Sequence, residues 1–232
     1  MMAVGKSPYL YQDFQLAVLT KAAVEQNVFA DSVFVANKGS IGADVATDHL
    51  TAEPGSVIGG AVSPYAGLSM PAFPPVAPVA PGVAAVTVAK KTLVLEAGAY
   101  GAVDVQQGAT LRLAGLYQVA SLNLGESARL EATAPLELRV ANRVQSAAKV
   151  FIGPAPGSNL TAKGIRLEVS GVNGGNGDVM SGPKAANFGT WCELHAIIVV
   201  PSGTLVVGPY ATVKGALFAR DVDIEQHTKI ST

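Results

Sequence analysis

The sole tryptophan, the sole cysteine and one of three histidines fall within five positions, at Trp191, Cys192 and His195, with Glu193 between them. A cysteine and a histidine three apart could both ligate a metal ion, or the imidazole could activate the thiol as a nucleophile. A zinc site takes three or four protein ligands, and the chain has no second cysteine to complete a usual set, so no metal is expected. The same count excludes an intrachain disulfide and leaves the redox compartment open. The expected role of this cluster is a loop-to-strand junction, with Trp191 buried against the flank of the fold.

Asp221 and Asp223 are two apart and so share one face of a strand, as paired carboxylates for acid–base chemistry or calcium would. Val222 and Ile224 satisfy the inward positions, and the two acids are therefore expected to point outward into water beside Arg220. The run Gly174-Gly175-Asn176-Gly177-Asp178 is close to a calcium-binding glycine-rich nonapeptide, but it lacks the residue between the last glycine and the aspartate, and it lacks tandem copies. No Lys-Ser or Lys-Thr follows these glycines to make a phosphate cradle. No catalytic residue and no cofactor are expected. The candidate ligand surface comprises Trp191, His195, Tyr210, Asp221 and Asp223.

The elements that must carry these residues are announced by a repeat. Val103, Val105, Ala109 and Leu111 are followed at the same offsets by Leu122, Leu124, Ala128 and Leu130. The offsets return at Leu205, Val207, Ala211 and Val213, at Val222, Ile224, Thr228 and Ile230, and earlier at Val33, Val35, Gly39 and Ile41. Offsets of two place apolar residues on one face of a strand, and the gap between pairs admits a tight corner, so each copy reads as strand, corner, strand. Neighbouring copies lie 19 or 17 residues apart, which suits one coil of a parallel β-solenoid better than a hairpin. The expected fold is all-β, a right-handed parallel β-helix. The alternative is a β-sandwich, which would need turn dipeptides between its strands; only Asn173-Gly174 and Asn176-Gly177 qualify, both in one stretch.

Along the chain, residues 1–63 form a β-rich segment that packs on or caps the solenoid. Within it, residues 16–26 could instead make a short capping helix, with Asp13 as its cap. Residues 64–85 hold Pro71, Pro74, Pro75, Pro78 and Pro81 and read as a stiff extended connector. Residues 86–232 form the main β-helix, from which a glycine-rich loop, 170–190, projects. With 14% charged residues and a net charge of −1, the chain has no electrostatic footprint for nucleic acid. The most apolar stretch, 70–88, is broken by five prolines, so no membrane insertion is expected. Residues 1–11 show no leader; the protein is expected to be extracellular or at the cell surface, with any leader absent from this chain, and the alternative is a cytoplasmic location.

Several stretches carry family likenesses. Residues 92–100, Thr-Leu-Val-Leu-Glu-Ala-Gly-Ala-Tyr, and the closing ladder from Gly203 to Ile224 resemble bacterial surface proteins with right-handed parallel β-helix domains, including pilus-associated ones. The ending is also similar to bactofilins, the polymer-forming β-helical proteins, from which the chain departs in its length, its proline-rich insertion and its glycine-rich loop. Residues 16–20, 39–42 and 187–191 resemble β-helical ice-binding adhesins. These likenesses imply a non-catalytic structural or adhesive module of a bacterial surface or filament assembly, and they carry over no catalytic residue. An ice-binding face needs small hydroxyl residues on successive coils, and in the row Ser40, Thr110, Arg129, Thr212 and Lys229 two long cations interrupt it. A polysaccharide-binding or polysaccharide-degrading β-helix is the competing expectation. Expected partners are other proteins or further copies of the chain, meeting at the solenoid ends, and a surface polysaccharide. The end formed by the carboxyl-terminal coil is expected to be open.

Overall fold

The structure is a computed structural model that describes residues 2–3, 16–64, 76–89, 91–178 and 181–231. Its strands form one sheet wound into a parallel β-solenoid of about 11 turns. The chain is all-β: among the described residues there is a single 3-10 turn, Ala162–Gly164, and no α-helix. The strands of successive coils run in the same direction, as in the coil Thr110–Leu124 lying beside Arg129–Val140 and the coil Glu193–Val207 beside Thr212–Ile224. Parallel pairing removes the sandwich alternative, whose sheets are antiparallel.

The alternating pattern explains the core. Val103 and Val105 stack on Leu122 and Leu124, while Leu205 and Val207 stack on Val222 and Ile224. These side chains are buried in one aliphatic ladder that runs from Val86 to Ile58. Each fully buried leucine or valine contributes about 1.5–3 kcal/mol of transfer free energy. Between paired strands the chain turns through a residue with left-handed backbone: Gly55, Gly108, Ser127, Lys149, Trp191, Tyr210, His227, Lys21 and Lys38 all have positive φ. A left-handed non-glycine residue costs roughly 1–2 kcal/mol. Hydrogen bonds between corners offset that cost, because the N–H of Ser127 donates to Ala148 O, that of Lys149 to Thr190 O, and that of Trp191 to Pro209 O.

Spatial order differs from sequence order. Leu16, Ala17 and Val18 lie between Val222, Asp223 and Ile224 on one side and Val33, Phe34 and Val35 on the other. Ala23 and Val24 are likewise inserted between Lys229–Ile230 and Ser40–Ile41. The amino-terminal coils thus continue the stack beyond the carboxyl-terminal coil, and the expected open carboxyl end is corrected: Leu217–Phe218, Val222–Ile224 and Lys229–Ile230 are covered by amino-terminal strands. The helix alternative for residues 16–26 is corrected by the same strands, Leu16–Val18 and Ala23–Val24. Asp13, its proposed cap, lies outside the described residues.

The two poles of the stack are therefore built from the middle of the sequence. One is formed by His49–Ala52, Val57–Ile58 and Val62–Ser63, the other by Val86–Val88 and Thr92–Val94. Each of these strands has a neighbour on its inner side. Among the described residues none has a neighbour on its outer side. The prolines at 71, 74 and 75 lie outside the described residues. At its far end the same stretch docks on the wall, where the N–H of Ala80 donates to Gln118 Oε1. Of the glycine-rich stretch 170–190, Ala186–Phe188 is a strand of the stack, between Val144–Gln145 and Leu205–Val207.

Candidate functional site

The five candidate residues fall in three places. Trp191 and Tyr210 meet at the left-handed corner, where their rings stack with centroids 4.4 Å apart. His227, one coil further, stacks on Tyr210 at 4.6 Å. Trp191 is 57% exposed, which corrects its expected burial: a left-handed corner directs the side chain away from the core. His227 was not singled out in the sequence, although it holds the same place before Thr228 that Tyr210 holds before Ala211. The buried corner position after Trp191 is filled by Cys192, whose Sγ lies 3.6 Å from Ser146 Oγ. Burial pushes the Cys192 thiol up, so it is no poised nucleophile.

Asp221 and Asp223 point away from Val222 and Ile224, as alternation requires, yet they are only 1% and 2% exposed. The expectation that they face water is corrected. The glycine-rich stretch supplies part of the cover through Asn173, whose Oδ1 accepts from the N–H groups of Thr204 and Ala185. Its Nδ2 donates to Thr204 Oγ1, and that hydroxyl donates to Asp221 Oδ2 at 3.1 Å. Arg220 closes the network, with Nε donating to Asp221 Oδ2 and Nη1 to Gly177 O. Burial raises the Asp221 carboxyl above its ordinary range against the opposing Arg220. Asp223 has a buried Oδ2 without a hydrogen-bond partner among the described residues. Burial, with Glu225 adding to it and Lys184 opposing, pushes Asp223 up to about 7. The pair is thus a structural polar cluster under a loop, closed to a bulky substrate.

His195 lies elsewhere, lining a cleft of about 730 Å³ between the segment around the 3-10 turn and the wall of the solenoid. Its side chain stands beside Lys214 of the next coil, and its ring packs edge-on against Phe151 at 5.6 Å. Gly153 permits this, since a Cβ there would meet the Phe151 ring at 2.7 Å and His195 Cβ at 3.1 Å. Nε2 of His195 is 2.9 Å from Glu193 Oε1 but makes no hydrogen bond in that geometry. Burial lowers the His195 pKa; Lys214 acts in the same direction and Glu193 opposes. Strand alternation places His195 on the outer face and Cys192 in the corner, so the two are not brought together as ligands. Among the described residues no cluster of three or more His, Cys, Asp or Glu is arranged to hold a metal ion.

Other acids on the wall serve as rungs. Glu131 bridges Arg112 at 3.0 Å and Arg129 at 2.8 Å, and Glu168 sits between Arg166 and Arg139. Burial works to raise the Glu131 pKa, but the two arginines outweigh it and hold the carboxyl below its usual range. Arg129 also lies over the Phe151 ring at 4.1 Å. The row suggested for ice contact aligns as Thr110, Arg129, Phe151, Glu193, Thr212, Lys229, Ala23 and Ser40. Fold and sites together define a parallel β-solenoid. Comparison of the chain with protein-family models, curated proteins and solved structures finds no match.

Proposed function

We propose that this protein is a non-catalytic structural or adhesive module of a bacterial cell-surface or filament assembly, and that it associates through the poles of its solenoid. The observation carrying this reading is the pair of poles. Each presents strands whose outer edges are unpaired among the described residues, with Val57 and Val62 exposed at one and Val83 and Val94 at the other. Unpaired parallel edges with apolar side chains are templates for a further strand, and one pole of a second copy offers strands of the same kind. The use of Glu131, Glu168 and Asp221 as structural rungs supports a scaffold rather than an enzyme. Sedimentation equilibrium with negative-stain microscopy tests it. Oligomers or filaments that grow with concentration are expected, and a strict monomer at about 100 μM overturns the self-association.

Saccharide binding at the corner ladder is the second reading, favoured by the exposure of Trp191 and Tyr210. Glycan-array binding that is lost in Trp191→Ala supports it, because an exposed aromatic edge removed from this ladder leaves the core untouched.

A further inference from the structure

We propose that the cleft beside His195 binds a small amphiphilic carboxylate, an anionic head on an apolar body. Its volume of about 730 Å³ falls in the range of small-molecule sites. Leu160, Ile197 and Ala216 supply apolar wall, while Lys163 and Lys214 line the same space; among the described residues no acidic side chain lines it. Neither lysine forms an ion pair among the described residues. Of the acids nearby, Glu193 lies against His195, while Glu137 is paired with Arg139 and Glu168 with Arg166.

Lys163 and Lys214 are exposed at the mouth of this apolar cleft, so their ammonium groups are free to close on the head of a bound carboxylate while its body lies on the apolar wall. His195 adds an imidazole to the lining, its Nε2 held 2.9 Å from Glu193 Oε1. The floor is held open by Gly215, at φ +135°, where any side chain would collide with the Ala196 carbonyl and approach Ala162 Cβ to 3.3 Å. The carboxylate could belong to an alkyl acid or to the uronate of a glycan; the apolar wall favours the alkyl acid.

Isothermal titration of the whole chain with octanoate, octanol and digalacturonate separates these sources. Saturable octanoate binding is expected, with octanol weaker by about tenfold or more. The double variant Lys163→Ala/Lys214→Ala should lose about tenfold in octanoate affinity, the double Lys→Arg variant should keep it, and Ala216→Glu should abolish it. Circular dichroism checks that each variant is folded. Equal binding of octanoate and octanol, absence of octanoate binding up to about 10 mM, undiminished binding by the alanine variant, or binding of digalacturonate alone would each overturn the proposal.

Discussion

Asp223 is a carboxyl group that the fold holds in its neutral form over most of the acid range. Its folded pKa, about 7, lies above that of the unfolded chain, so the native state binds the extra proton. The resulting penalty is absent below the ordinary carboxylate range, grows as pH rises from about 4, and is complete above about 7. Asp223→Asn should therefore stabilise the protein at pH 8 by on the order of 3 kcal/mol and give little gain at pH 4. Urea denaturation at both values measures this, and an equal gain at both would show that titration is not the cause. Lys38 offers a backbone counterpart, since it is exposed and left-handed with φ 60°. Lys38→Gly should raise stability by about 0.5–1 kcal/mol in the same assay. The outward direction of Asp221 and Asp223 was legible from alternation alone. Their burial was not, because Asn173 and Gly177, which tie the cover to Thr204 and Arg220, come from a stretch whose polar, glycine-rich composition reads as a free loop.

The coil is built on apolar or small residues at offsets of zero, two, six and eight, and five such copies are plain in the sequence. The same offsets describe Leu16, Val18, Ala22 and Val24; Leu50, Ala52, Ser56 and Ile58; Val144, Ser146, Val150 and Ile152; and Ala186, Phe188, Cys192 and Leu194. Three of these carry Ser56, Val150 or Cys192 where other copies have alanine, an exchange that pairing with flanking coils tolerates and that blurs the repeat. Cys192 thus occupies the place of Ala109, Ala128 and Ala211, and Cys192→Ala should change stability by less than about 1 kcal/mol, read from thermal melts. Its thiol should react with an aromatic disulfide reagent only as fast as the protein opens, because burial both hides it and keeps it protonated. Glu131→Gln should cost about 1–2 kcal/mol near neutral pH, since the buried carboxylate answers two arginines. That cost should shrink as pH falls through the lowered Glu131 pKa, where the parent loses its charge as well.

For the molecule as a whole, the β-solenoid class was legible because its repeat is local, whereas the position of residues 16–63 was not: nothing local distinguishes a strand that pairs with residue 33 from one that also pairs with residue 222. A protease site engineered between Pro64 and Val76 tests the arrangement. After cleavage the two pieces should co-elute as one native particle in size exclusion and separate only in denaturant, held by the pairings of Leu16–Val18 with Val222–Ile224 and of Ala23–Val24 with Lys229–Ile230. Separation under native conditions would contradict the strand order. The inserted amino-terminal strands also set a timetable for biosynthesis. A ribosome emits residues 16–63 well before the surface on which they stack, which lies about 200 residues later in the chain. Closing so long a loop is slow, and until it closes the early strands and the late coil both expose unpaired edges. The newborn chain therefore passes through an interval in which its aliphatic ladder is cut in two, and productive folding depends on keeping neighbouring chains from filling the gap.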